Sequence, residues 1–323
     1  MPNWLIKSTV HRAISWLPRR QVWNEFLQTR VTKSLDLTAG QFEAKVVECH
    51  RHLECFLSRT PGAGEFTVLE LGTGWFPIIP LGLYLCGAKR VWTIDIDPLL
   101  RPARIQRVLQ YFCDLDRRDE LRKLLPRLQA ERMERVRSLL PRVGREAPGA
   151  FLAQIDIQVI VRDAQHTELH AGSIDLLFSS GVLEYIPRPV LQRILTESRR
   201  LASPRAVISH RLNLVDQFSY FDRSITAFNY LRYTARQWRW RNSPLINQNR
   251  LRISDYRQLL GEAGFEIVCE ESISGAREEL ARVKLSPEFE HYAKEDLLVV
   301  HSFLTARVAA SQQPAQQAGV AKP

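Results

Sequence analysis

Residues 68–77 constrain this chain most. Val68, Leu69 and Leu71 make a short apolar run around the carboxylate Glu70; Gly72, Thr73 and Gly74 follow, then Trp75, Phe76 and Pro77. Glycine tolerates positive φ and lets a ligand approach the backbone closely. Proline suits the first turn of a helix, where its missing N–H loses nothing. Strand, glycine bend and helix start, in that order, describe the first βα turn of a Rossmann-like sheet, whose ligands bind at the carboxyl ends of the strands. A second apolar run, residues 90–94, ends at Asp95. A carboxylate at that tip is placed to accept hydrogen bonds from a ribose diol. A nucleoside-bearing cofactor over the sheet follows.

Two such cofactors compete, a nicotinamide dinucleotide and S-adenosylmethionine. A dinucleotide wants a third glycine for helix–strand packing and a free helix N-terminus for pyrophosphate. Phe76 and Pro77 stand in that stretch. Glu70 at the first strand tip would repel pyrophosphate and attract the ammonium of a methionine moiety, so charge favours the sulfonium cofactor. At these residues the sequence resembles the class I S-adenosylmethionine-dependent methyltransferases. Residues 70–74 resemble the family's first motif, with Phe76 in place of its third glycine, so the turn must accommodate a ring. Residues 94–97 (Ile-Asp-Ile-Asp) resemble the second motif, 161–164 (Val-Arg-Asp-Ala) the block after strand three, and 173–186 the fourth strand with its following turn. The resemblance spans residues 65 to 305. It implies Glu70 at the methionine amino end, backbone approach at Gly72 and Gly74, and Asp95 on the ribose hydroxyls, with Asp97 as a neighbour able to share that role. It also implies Asp163 on the adenine amino group, the Ala164 N–H toward a ring nitrogen, and Ser180 among the cofactor contacts.

The implied fold is α/β: a Rossmann-like, seven-stranded, mostly parallel sheet with flanking helices and an antiparallel last strand, carrying a helical N-terminal extension and a helical insertion. Residues 1–60 read as the extension, 61–308 as the methyltransferase domain, and 309–323, rich in Ala and Gln, as a disordered tail. In the extension, Trp4, Leu5, Ile14, Trp16, Leu17, Val22, Trp23, Phe26 and Leu27 recur at near-helical spacing among basic residues, and Pro18 should divide the run. It reads as a cover packed on the sheet or cofactor, or as an amphipathic segment making peripheral contact with an anionic membrane. Residues 99–148 exceed what one crossover helix needs and should hold two or three helices, with Pro126 and Pro141 as punctuation. Their arginines form either a nucleic-acid face or a solvated face beside acids such as Asp116 and Glu134. Strands are expected at about 155–161, 174–178, 206–210, 265–268 and 297–303, with Ser254 capping a helix through Leu260 that Gly261 and Gly264 end.

No apolar run is long enough to span a bilayer, no clean signal peptide stands at the N-terminus, and five cysteines form no close metal-type pair. A cytoplasmic protein with reduced thiols is the expectation. The formal charge of +10 suits nucleic acid, an anionic surface or an acidic substrate. No metal is expected: Glu48 and His52 share a helix face simply by i, i+4 spacing, and His166 and His170 suit a loop.

Methyl transfer needs donor and acceptor held near attack distance, and a general base helps when the acceptor is a hydroxyl. His210, at the expected end of strand five, is the candidate catalytic base, against a purely structural histidine; Asp216 and Asp222 compete. Residues 211–250 crowd aromatics and arginines and read as an acceptor wall or as a helical lid with its own core. Residues 247–252 could close over the acceptor. The fourth block lacks the Asp/Asn-Pro-Pro-aromatic run of amino-methylating nucleic-acid enzymes, and no cysteine lies between Cys113 and Cys269 to serve C5-cytosine chemistry. DNA is therefore not the expected partner. The leading expectation is methyl transfer to a small-molecule or glycan acceptor, at oxygen. The alternatives are an RNA methyltransferase using the basic insertion and a non-enzymatic binding module on the cofactor fold.

Overall fold

The computed structural model describes residues 3–15, 36–242 and 247–310. The expected break at Pro18, the apolar positions 16–27 and most of the expected tail lie outside those residues. Seven strands form one sheet: β1 (Thr67–Leu71), β2 (Arg90–Asp95), β3 (Ile157–Val161), β4 (Ile174–Ser180), β5 (Ala202–Asn213), β6 (Phe265–Ser274) and β7 (Val299–Val308). Their order is β3-β2-β1-β4-β5-β7-β6. The first five run parallel, and β7 lies antiparallel between β5 and β6, as expected. The order reverses between β1 and β4, so the crevice at their carboxyl ends is the switch point where such sheets bind ligands. In β1, Val68 to Leu71 are all buried, as a central parallel strand covered on both faces requires.

The described helices are α1 (Asn3–Ser15), α2 (Ala39–Leu57), α3 (Ile78–Leu85), α4 (Pro102–Arg117), α5 (Leu121–Leu124), α6 (Ala130–Leu139), α7 (Pro148–Ala153), α8 (Arg188–Leu201), α9 (Ala235–Arg241), α10 (Ile253–Glu262), α11 (Arg277–Ala281) and α12 (Lys294–Leu298). Helix α2 starts with a capping box, Thr38 accepting from the Gln41 N–H and Gln41 from the Thr38 N–H. Its buried face, Phe42, Val46, Cys49, Leu53 and Phe56, packs with α3, α4 and one sheet face into the largest core cluster. On the other face, α8 and α10 bury Leu191, Leu195, Tyr256 and Leu259 against Leu69, Leu177 and Ile208.

Four helices, α4 to α7, fill the span between β2 and β3. Several of their arginines pair locally: Arg117 with Asp114, Arg118 with Glu120, Arg137 with Asp116 and Glu134, Arg142 with Glu146. These contacts describe a solvated, ion-paired surface.

A third, smaller core joins Trp4 of α1 to Phe218, Phe228, Tyr230, Trp238 and Phe289. Much of the aromatic content of residues 211–250 is thus interior packing. Arg252 rivets this cap to the sheet. It is fully buried and donates to the carbonyls of Leu214, Leu297 and Val299 and to the Tyr230 hydroxyl.

Several boundaries differ from expectation. β5 extends from 202 to 213 because β7 pairs with it as far as Asn213 opposite His301. α10 begins after Arg252, whose N–H donates to Asp255 at 2.8 Å, while Ser254 bonds to Asp296 instead of capping. Pro77 precedes α3 and is not its first residue. Leu297 and Leu298 end a helical turn, and the last strand starts at Val299.

Candidate active site

The bend after β1 has the geometry its glycines suggest. Gly72 has φ +83° and donates its N–H to Ile94 at 2.8 Å. A Cβ there would overlap the Val182 side chain. Gly74 has φ +62°, and a Cβ there would project into open space. Between them Thr73 is buried, its hydroxyl 2.5 Å from that of Thr93. Thr93 in turn donates to Glu70 at 2.6 Å. At the tip of β2, Asp95 accepts from the Gly74 N–H at 2.9 Å and from Asp97 N–H at 3.2 Å, tying the two strand ends together.

Two cavities meet at this bend. One, about 450 Å³, is lined by Glu70, Gly72, Gly74, Trp75 and Phe76 on the bend side and by Lys45, Glu48, Ser180 and Arg211 opposite. The other, about 310 Å³, lies between Asp95, Asp97 and the turn that follows them on one side, and Gly149, Val159 and Val161 on the other. Thr73 lines both. The Phe76 ring is accommodated by packing on the core beneath the bend while still lining the larger cavity. Trp75 carries the Arg104 guanidinium 4.5 Å from its ring centroid.

The electrostatics differ between the ends. Burial pushes the Glu70 carboxyl up to about 8, against the opposing pull of its Thr93 hydrogen bond and of Lys45. Burial also raises Asp95, with the Gly74 and Asp97 N–H groups opposing. Both acids are thus poised to gain from a cation or a donor arriving beside them. The far wall is a charge cluster on α2, β4 and β5. Glu48 accepts from Lys45 at 2.5 Å, from Ser180 at 2.6 Å and from Arg211 at 2.6 Å, and Lys45 also donates to Ser180 at 2.7 Å.

Of the sequence-singled residues, Glu70, Gly72, Gly74 and Ser180 converge on the larger cavity, and Asp95 on the smaller. Asp163 and Ala164 line neither: Asp163 accepts from the backbone and side chain of Gln165, and Ala164 packs on the core. His210 is also off the cavities. It is buried inside β5, with Nδ1 2.8 Å from the Ser179 hydroxyl and Nε2 without a partner among the described residues. Burial pushes it down to about 4, so it is neutral at neutral pH. The expectation that it ends the strand fails because β5 runs three residues further. Asp216 caps the turn at Phe218 and accepts from Asn229, and Asp222 accepts from the Trp4 N–H, which gives both structural work. His52 bonds to Ser209 and lies between the Phe178 and Phe303 rings.

Lys45, Glu48 and Arg211 line the site without an assigned role there from sequence, where Glu48 enters only as a helix-face neighbour of His52 and Arg211 only as the first residue of the 211–250 segment. For Lys45 and Glu48 the signal was a pair of charges on a helix whose neighbouring stripe is apolar; Arg211 had no such local signal. Glu184, in the turn that closes the fourth-strand block, is a further surprise. It is buried with neither oxygen partnered among the described residues, and burial pushes it up to about 8.

Residues 128–209, about a quarter of the chain, match the family model described as a methyltransferase domain. The match takes in the whole of β3 and β4 and part of β5, and omits the glycine bend. No curated protein matches in sequence. Among solved structures, the chain is similar to geranyl diphosphate C-methyltransferase from Streptomyces coelicolor, determined with magnesium, geranyl diphosphate and S-adenosylhomocysteine. That likeness has 10% identity, covers 80% of this chain and 77% of that one, and has a TM-score of 0.44. A methyltransferase from Methanosarcina mazei has 14% identity, coverage of 79% and 98%, and a TM-score of 0.42. One from Mesorhizobium loti has 14% identity, coverage of 81% and 99%, and a TM-score of 0.41. At such scores the chemistry rests on this chain's own residues.

Proposed function

We propose that this chain, a class I S-adenosylmethionine-dependent methyltransferase by its sheet order and its methyltransferase-domain match, methylates a hydroxyl oxygen of a small-molecule or glycan acceptor. The observation that carries the reading is a pair of carboxylates, Glu70 buried and Asp95 half-buried, each lining one of two cavities that share Thr73. The residues fit the cofactor. The open space over Gly74 admits a ligand against the backbone, Glu70 would hold the methionine ammonium, and Asp95 would hold the ribose hydroxyls. When bound, S-adenosylmethionine supplies an electrophilic methyl group on a cationic sulfur.

The acceptor end is read from the far wall. Trp75 and Phe76 offer faces, and Lys45, Ser180, Arg211 and Glu48 offer fixed polar groups, a combination that suits a hydroxyl-rich acceptor. A carboxylate has about four acceptor positions. Three on Glu48 are used by Lys45, Ser180 and Arg211. The remaining one can take the acceptor's O–H and orient its lone pair. His210 then supports the β4 tip through Ser179 and does not touch the acceptor.

The test is calorimetry on Asp95→Ala. Losing hydrogen bonds to a charged acceptor, worth about 1.5–3 kcal/mol each, weakens S-adenosylmethionine binding at least tenfold. Unchanged affinity would remove the reading. Glu48→Gln should leave that affinity intact and lower turnover in extracts supplied with labelled methyl donor.

A further inference from the structure

Helix α1 carries an outer face that packing does not explain. Trp4 and Ser8 are buried, Trp4 against Phe218 and Tyr233, and Ser8 bonds to the Arg241 carbonyl. The opposite face presents Ile6 and Val10, one turn apart and both exposed. Phe221 stands on one flank, with the Lys7 ammonium 2.7 Å from its ring centroid. Trp240 of α9 stands on the other, with the Arg12 guanidinium 5.1 Å from its ring. These large side chains, with Tyr220 next to Phe221, are 44 to 66% exposed.

The charge on these segments is predominantly positive. Residues 3–15 hold no acid, and residues 217–241 hold a single one, Asp222, buried where it accepts from Trp4. Arg223, Arg232, Arg236 and Arg239 are exposed on the same segments. Glu288 stands nearby, with its carboxylate engaged by the Ala235 N–H and Arg250.

We propose that this face, α1 with Phe221 and Trp240, docks on the surface of an anionic lipid bilayer. Aliphatic and aromatic side chains interleaved with Lys and Arg on one face of a helix are the composition that seats a helix at the headgroup boundary. Clustered cations add attraction to anionic lipid. Ile6 and Val10 neither stack on bases nor hydrogen-bond to them, so they favour acyl chains over nucleic acid. No described helix is long and apolar enough to cross a membrane, so the contact is peripheral. The face adjoins the candidate site: Tyr220 bonds to Asn213, two residues along β5 from the cavity-lining Arg211.

The experiment is co-sedimentation of the full chain with vesicles of phosphatidylcholine alone and of phosphatidylcholine mixed with phosphatidylglycerol. The anionic vesicles should capture it about tenfold better, with the difference falling as salt rises. Trp240 should shift to bluer emission on those vesicles, a shift absent in Trp240→Phe. The double variant Phe221→Ser with Trp240→Ser, and separately Val10→Asp, should lose about tenfold in capture while keeping the circular dichroism and S-adenosylmethionine affinity of the parent. Preserved affinity separates a failure here from a failure of the methyl-transfer reading. Equal capture by both vesicle types, no capture, folded variants that bind like the parent, or capture of an RNA oligonucleotide in place of lipid would each overturn the proposal.

Discussion

Glu70 shows how one buried acid can report on the site. Burial raises its pKa in the folded protein from an ordinary carboxylate value to about 8. Such a group contributes stability below its unfolded pKa and loses that contribution as pH rises through about 8. A cation beside it reverses the shift. Binding of S-adenosylmethionine should therefore expel a proton between about pH 5 and 8, and affinity should rise with pH across that window. Calorimetry in buffers of different ionisation enthalpy reads the proton directly. Glu70→Gln should bind more weakly, flatten the pH dependence and release no proton. Gly72 makes a steric prediction. A side chain there meets both a left-handed backbone and Val182, so Gly72→Ala should destabilise by about 2–4 kcal/mol in denaturant unfolding. Adding Val182→Ala should recover the overlap component and leave the backbone component.

At the scale of elements, α2 does two jobs. Its apolar stripe anchors the core, and its polar stripe delivers Lys45 and Glu48 to the cavity wall. The helix begins at the Thr38 capping box, one residue after Leu37 and three before Gln41, both cavity-lining. Thr38→Ala should cost about 1 kcal/mol of stability, measured by thermal unfolding. The strands show what could be read in advance. The glycine bend, the Asp95 tip and the alternation of strands with helices were legible because each is local: period, turn residue, carboxylate. The far wall was not. Lys45 and Ser180 are 135 residues apart, and Arg211 reaches Glu48 from another strand, contacts that exist only once the sheet has formed. His210 misled because the end of β5 is set by an antiparallel partner, β7, that no local pattern around residue 210 announces. Asp163 stands exposed outside both cavities, its two oxygens each accepting one hydrogen bond from Gln165.

At the scale of the molecule, the aromatics of residues 211–250 were legible as a crowd but not as an interior. Their partner, Trp4, comes from the other end of the chain, and with it they form a third core beside the two that sandwich the sheet. Arg252 joins that third core to the sheet with no carboxylate on its guanidinium among the described residues, the head group being held by the oxygens of four residues drawn from three stretches of chain. Arg252→Met should strip those carbonyls of their donor and destabilise by about 3 kcal/mol or more, seen in denaturant melts. Because one guanidinium stitches strand ends and cap together, the two melt cooperatively, so wild type should give one calorimetric peak and the variant two. A cap stitched in this way is braced against swinging as a hinged flap, so, on the proposed reading, turnover should be indifferent to solvent viscosity.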